Sequence, residues 1–386
     1  MGHFRRWTVA GLTALGLVHA GGCSAGIPIG AVISETGAAA SYGRSVRKGL
    51  DLAVEQINAG GGFEGKAFEI IYRDDETDPM KGQQAVADLI SEFDVGIIVG
   101  AVSSSVTLAI APMCEQARVV LLSPSASAPQ LTDAGSYIFR NYPSDVLEGT
   151  AMARFARDLG VERLALFAVD NEFGAGLKRV FAPEFESRFR AIVATVDFPE
   201  GQAAGLGQPI AALVDARPDG IYVVGYIEDV ASIVRQVRDA GLESVILATS
   251  STNAGDLVEK IGPAAENVVL PRSSSFDPES DDPAVQAFVA AYREKYGEDP
   301  DDFAAHGYDA AKLLLIAMQQ RGSAHPDDVK EGLVAIDDYQ GASGRVAIDE
   351  RGDVIQYPRL YVIRQGREIP YDRFKEEGGS FDLPRP

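Results

Sequence analysis

From Ile27 onward the chain alternates short apolar runs with stretches whose apolar residues recur at helical spacing. Residues 27–33 read as a strand, and 45–58 then carry Val46, Leu50, Ala53, Val54 and Ile57 on one helical face before Gly60-Gly61-Gly62. A strand at 68–72 and a helix at 80–93 follow, then apolar strands at 95–99 and 119–122 and a short strand at 137–140. A second round begins near Asp145: helices at 146–159, 175–189, 209–216 and 230–240 alternate with strands at 163–169, 192–198, 220–224 and 244–248. After a strand at 268–270 come helices at 283–296 and 303–319 and a strand-rich end through 346–348 and 360–363, with 274–283 as the exposed connection. Regular βα alternation implies parallel sheets covered by helices on both faces. Its repetition over 386 residues, more than one ordinary core can hold, implies two lobes of one architecture.

Composition narrows the function classes. An apolar fraction of 46% and a charged fraction of 24% are those of a soluble globular chain. The formal net charge of -21 excludes phosphate-backbone binding, which needs clustered Lys and Arg. The first 25 residues differ in kind: Arg5 and Arg6, an apolar run from Trp7 to Val18, and small residues Ala20, Gly21 and Gly22 before Cys23. That order is a secretory signal, and a Cys directly after Gly-Gly resembles the bacterial lipoprotein pattern, in which the Cys is acylated; ordinary cleavage after Ala20 is the alternative. No later stretch is a transmembrane candidate. Cys114 is then the lone remaining cysteine, a small core residue.

The chemistry-bearing feature is a pair of strands that each run into small hydroxyl residues: 95–99 into Ser103-Ser104-Ser105, and 119–122 into Ser123-Pro-Ser-Ala-Ser127. Loops after parallel strands gather at the sheet's carboxyl edge, where helix N-termini present free amides. Neither loop holds Lys or Arg, so the donors are neutral, which suits a small carboxylate better than a polyphosphate. For one such loop, ordinary turn and cap chemistry explains the serines; two in succession favour a site.

The ordered series Val32-Ile33 with Tyr42-Gly43, Gly49…Ala53…Ile57-Asn58, Asp74-Asp75…Asp78-Pro79, Val99-Gly100…Ser104, Leu122-Ser123-Pro124…Leu131-Thr132, Asp170…Phe173-Gly174, Gly225-Tyr226 and Phe303…Tyr308-Asp309-Ala310 resembles the leucine/isoleucine/valine-binding proteins, type I periplasmic solute receptors of ABC importers. The resemblance covers the chain from Ile27 to about Ile369. It implies an α/β fold of two Rossmann-like lobes, the periplasmic binding protein type I fold, joined by a three-crossover hinge. It assigns 26–143 plus 272–343 to the N-terminal lobe and 144–271 plus 344–372 to the C-terminal lobe, leaving 373–386 as a tail. It further implies that Ser104, Ser125 and Ser127 hold a ligand carboxylate and part of its ammonium. Tyr42 would then lie beside the ligand side chain, Phe173 and Tyr226 would close over it, and Phe303 would form another apolar wall. The partners implied are a small ligand and an inner-membrane ABC permease, with the membrane reached through a lipid anchor at Cys23 only. The chain would act as a periplasmic or cell-surface monomer without cofactor or metal, and not as an enzyme.

One departure bears on the ligand. Amino-acid receptors of this family carry Glu or Asp after the strand at 244–248; here the sequence is Thr249-Ser250-Ser251, with Ser250 at the matching position. A buried ammonium without a nearby anion is costly. Either another carboxylate substitutes, with Asp170, Glu172 and Glu228 as candidates, or the ligand lacks an α-ammonium. Phe173 stands where the amino-acid receptors commonly have Tyr.

Other signals carry less. Gly60-Gly-Gly-Phe-Glu-Gly65 matches a dinucleotide pattern but follows a helix, so it reads as a C-cap and turn. No G-x-S-x-G elbow is present, and neither His306 nor His325 has an evident Ser or Cys partner; His306 reads as a rim or packing residue. Asp74-Asp75-Glu76 is a solvated loop or, by family position, close to the cleft. Tyr72, Tyr142, Tyr222 and Phe167 read as packing or strand residues. The remaining functional alternatives are a ligand-sensing module of the same fold, a receptor for non-amino aliphatic or aromatic carboxylates, and an α/β enzyme.

Overall fold

The computed structural model describes residues 26–273 and 276–384. The expected secretory signal and the expected acylated Cys23 fall in residues 1–25, outside the described residues. A five-stranded sheet forms from β1 (Ile27–Ile33), β2 (Phe68–Asp74), β3 (Ile97–Gly100), β4 (Val120–Ser123) and β5 (Ile138–Arg140). Its order is β2-β1-β3-β4-β5 and every pairing is parallel. The helices between these strands are α1 (Ala40–Ala59), α2 (Pro79–Phe93) and α3 (Ser104–Ala117). Strands β3 and β4 are buried at every position, as strands covered on both faces must be.

The second sheet takes up β6 (Arg163–Val169), β7 (Ala191–Phe198), β8 (Gly220–Val224), β9 (Val245–Leu247) and β10 (Val268–Arg272), with α4 (Asp145–Leu159), α5 (Glu172–Phe185), α6 (Gly207–Ala216), α7 (Ile227–Asp239) and α8 (Ala254–Ile261). The chain then returns to the first lobe as α9 (Pro283–Tyr296), α10 (Asp302–Arg321), α11 (Pro326–Val334) and the ribbon β11 (Tyr339–Gly341) with β12 (Gly344–Val346). It ends on the second sheet with β13 (Arg359–Arg364), β14 (Arg367–Pro370) and α12 (Tyr371–Glu376). That sheet runs β14-β13-β10-β9-β8-β6-β7, with β13 antiparallel to β10. The chain therefore crosses between lobes three times.

Each sheet reverses its direction of growth at one point, between β1 and β3 in the first and between β6 and β8 in the second. Crevices at such points are where open α/β sheets bind ligands. Close helix packing fixes the first of them. A Cβ at Gly49 of α1 would stand 1.9 Å from the Ala304 carbonyl of α10, and one at Gly307 would stand 2.3 Å from that of Val46. Only glycines let the two backbones approach this closely, and the approach sets Phe303 of α10 against Tyr42 of α1, ring centroids 4.7 Å apart.

Several expected boundaries shift for physical reasons. Helix α1 begins at Ala40 rather than 45, because Ala40 to Arg44 carry it back to the turn at Gly37. Helix α5 starts at Glu172, where the Asn171 side chain caps the Gly174 amide at 3.0 Å, and stops at Phe185, before the bridge between Ser187 and Arg190. The strand expected at 346–348 is instead β12, pairing with β11, and α8 and α11 went unpredicted. In the segment 274–283, Ser274 and Ser275 lie outside the described residues, while Phe276 is buried 6.0 Å from Phe288 and so is not exposed connection. The tail proposed from residue 373 does not hang free: α12 spans that boundary, Phe374 is buried, and Tyr371 packs edge-on to Phe155 at 4.8 Å.

Candidate functional site

One narrow cavity of about 40 Å³ lies between the lobes and is lined by all eight residues singled out above: Tyr42, Ser104, Ser125, Ser127, Phe173, Tyr226, Ser250 and Phe303. Their origins explain the convergence. Tyr42 and Ser104 follow β1 and β3 at the first crevice, Phe173 and Tyr226 follow β6 and β8 at the second, and Ser125, Ser127 and Ser250 follow β4 and β9. The lining contains no Lys or Arg and no carboxylate.

The first-lobe end is a donor surface. Ser103 caps α3, its Oγ accepting the Val106 amide at 3.3 Å, so the Ser104 and Ser105 amides have no helical carbonyl to bond. Ser104 Oγ accepts the amides of Ser127 at 3.3 Å and Ala128 at 3.1 Å, which leaves its own proton to donate. Ser125 is set the other way, donating to the Val102 carbonyl at 2.6 Å and keeping its lone pairs. Behind this loop the buried Arg140 fixes Ala128: its Nη1 donates to the Ala128 carbonyl at 2.9 Å, while Nε pairs with Asp353 at 2.7 Å on the third crossover.

The remaining wall is aromatic. Tyr142 stacks on Phe303 at 6.0 Å, Phe303 meets Tyr42 edge-on, and Tyr42 lies 5.7 Å from Tyr226, which stacks on Phe173 at 5.9 Å. Tyr42 also joins the lobes: its hydroxyl donates to the Ser251 carbonyl at 3.0 Å and accepts the Ile227 amide at 2.7 Å. Burial raises its pKa, so it remains a neutral phenol.

Tyr142, expected as a packing or strand residue, is buried in the core and also lines the cavity, its hydroxyl donating to Ser250 Oγ at 3.2 Å. It sits just past β5 and before Pro143, where nothing in the local pattern separates a cleft tyrosine from a packed one. Tyr222 and Phe167 are core as expected, and Tyr72 bonds Asp51 at 2.6 Å. Asp75 is not a solvated loop residue: it is fully buried, accepts the Ser34 hydroxyl at 2.6 Å, and burial pushes its pKa up to about 6. His306 is buried against the Tyr142 ring at 4.9 Å, away from the rim. The substitute acids do not reach the cavity. Asp170 is exposed, Glu172 is exposed with Gln130 donating to it, and Glu228 is exposed and paired with Lys260.

The acid that sequence reasoning missed is Glu148 in the first turn of α4. It is buried, accepts the Ser250 amide at 3.2 Å and the Ser273 hydroxyl at 3.1 Å, and also accepts the Ser250 hydroxyl. Asp145, one turn earlier, is buried beside it; burial and the Glu148 charge hold the Asp145 pKa well above the carboxylate range, with the Ser127 hydroxyl and Arg140 acting against them. Burial raises Glu148 as well, opposed by its serine donors. The pattern of α4 held a clue, since Asp145 and Glu148 share the buried stripe of Gly149, Met152 and Ala156.

Two α/β lobes, each opening its crevice onto one shared cavity and joined by three crossovers, define a two-lobed small-molecule receptor. The chain belongs to the periplasmic binding protein family, whose profile matches residues 26–367. It is 28% identical over 326 residues to the leucine-, isoleucine-, valine-, threonine- and alanine-binding protein of Pseudomonas aeruginosa, covering 83% of this chain and 84% of that one. Its fold matches the leucine-binding protein LivK of Thermotoga maritima with a TM-score of 0.82 at 29% identity, covering 89% of this chain and 97% of that one. It likewise matches LivJ of Streptococcus pneumoniae, a branched-chain amino acid transporter substrate-binding protein solved with isoleucine, with a TM-score of 0.80 at 27% identity and the same coverage.

Proposed function

We propose that this chain is the extracytoplasmic receptor of an ABC importer and binds a small carboxylate of the branched-chain amino acid type between its lobes. The observation that carries this is the division of the cavity into a hydroxyl and amide end without basic residues and an aromatic wall drawn from both lobes. Neutral fixed donors fit one carboxylate, and aromatic faces supply area for an aliphatic body. The similarity to receptors named for leucine, isoleucine and valine agrees with that division. Ser104, Ser125 and Ser127 hold the carboxylate; Tyr42, Phe173, Tyr226 and Phe303 enclose the side chain; Ser250 faces the ligand from the second lobe. The receptor acts as a monomer, hands its ligand to an inner-membrane permease, and is tethered by acyl chains at Cys23. No helix among the described residues is long and apolar enough to cross a membrane. Calorimetric titration with leucine, isoleucine and valine tests the reading. Saturable one-to-one binding is expected, and absence of binding by these and by their carboxylate analogues would contradict it.

A further inference from the structure

The family's acid is missing at Ser250, yet a carboxylate stands one residue behind it. Glu148 accepts from the Ser250 amide and hydroxyl and from Ser273, and among the described residues no basic side chain forms an ion pair with it. A buried carboxylate bonded only to neutral donors lacks a counter-charge. The geometry at Ser250 directs that charge into the cavity. A hydroxyl has one proton and two lone pairs; the Ser250 proton goes to Glu148, and one lone pair takes the Tyr142 hydroxyl. What remains for the cavity is an acceptor backed by an anion.

We propose that Glu148 is the counter-charge for the ligand's ammonium, acting through the Ser250 hydroxyl, so that the cavity selects α-amino acids over otherwise identical carboxylates. This rests on the reading of the cavity as a carboxylate site. The surroundings of Glu148 agree with the role. Among the described residues Asp145 is the acid beside it, and burial and the Glu148 charge hold its pKa well above the carboxylate range; Arg140 acts on Asp145; burial raises the Tyr142 and Tyr222 phenols. Glu148 accepts three donors, the Ser250 amide and hydroxyl and the Ser273 hydroxyl, which favour its charged form against burial. The ligand would then lie with its carboxylate at the first-lobe serines and its ammonium at Ser250, its ends bound by opposite lobes. Glu148 is a positioning residue and does not itself line the cavity.

The test titrates leucine and 4-methyl-2-oxopentanoate, which differ at the α-nitrogen, into the wild type and into Ser104→Ala, Glu148→Gln and Ser250→Ala. The wild type is expected to prefer leucine at least tenfold. Glu148→Gln keeps the volume and one acceptor oxygen while removing the charge, and is expected to reduce that preference about tenfold or more through weaker leucine binding, with the oxo acid unchanged or improved. Ser250→Ala, which leaves Glu148 in place, is expected to act in the same direction and decides the matter if Glu148→Gln does not fold. Equal weakening of both ligands, an unchanged ratio, or a wild-type preference for the oxo acid would overturn the proposal. If both ligands bind and Ser104→Ala weakens both, such an outcome removes the role of Glu148 alone. If neither ligand binds, or Ser104→Ala changes nothing, the carboxylate site falls and the proposal with it.

Discussion

The hydroxyl of Tyr42, carried by the first lobe, accepts the backbone amide of Ile227 in the second at 2.7 Å. Ile227 opens α7, and Tyr226 at its cap position makes no side-chain cap bond. One orphan amide of a helix in one lobe is thus satisfied by a phenol from the other. Parting the lobes would break this bond and leave the amide to water. Ligand and phenol therefore favour the same state.

Removing that hydroxyl should shift the balance towards open. A net hydrogen bond contributes about 0.5–1.5 kcal/mol, so Tyr42→Phe is expected to weaken leucine binding by roughly three- to tenfold. Small-angle scattering should show the wild type contracting on ligand addition, with the variant needing more ligand for the same change. Identical titration curves would mean that the contact does not bias closure.

The carboxylate end is tested at Ser104, whose proton is free because two amides occupy its oxygen. A hydrogen bond to a charged group is worth about 1.5–3 kcal/mol, so Ser104→Ala should cost tenfold or more in affinity. Since no Lys or Arg lines the cavity, raising the salt concentration several-fold should alter the wild-type Kd little. Wild-type affinity in the variant, or a steep salt dependence, would place the anion elsewhere.

Much of this site was legible in the sequence because its parts fall on punctuated positions. Ser104, Ser125 and Ser127 come directly after apolar strands, and Tyr42, Phe173 and Tyr226 begin helices after strands. Residues whose role depends on distant partners gave no such mark. Glu148 reads as an ordinary acid in the first turn of a helix, where the dipole favours it, and its partner Ser250 is 102 residues away. Likewise Arg140 ends a short strand, and its pairing with Asp353 appears only when the third crossover returns past β5. Helix α8 was hidden because its eight residues are too few for periodicity to register.

His306 gives a prediction about stability. Burial lowers its pKa from 6.5 to about 3, and neither ring nitrogen has a hydrogen-bond partner among the described residues. As pH falls below 6.5 the unfolded chain takes up a proton that the folded chain refuses, so wild-type stability drops. His306→Phe removes that proton. The stability difference between variant and wild type should widen in the variant's favour by roughly 2 kcal/mol between about pH 6 and 4.5. The raised carboxylates Asp75, Asp301 and Asp309 titrate the other way but are common to both proteins and cancel. Urea unfolding at several pH values measures this; a pH-independent difference would mean that His306 is protonated in the fold.

Anchoring is tested at Cys23. Cys23→Ala should move the protein from the membrane to the soluble fraction of the producing cell, and the wild-type N-terminal peptide should carry acyl mass. Unchanged membrane association together with an unmodified N-terminal peptide would contradict the anchor.

The most direct test of the central claim is native mass spectrometry of the receptor purified from the producing cell without ligand exchange, followed by release and identification of what it carries. One small α-amino carboxylate per chain, displaced by excess leucine, is the expected result. A sugar, a nucleotide or any bound molecule without a carboxylate, still held in the presence of excess leucine, would contradict the account.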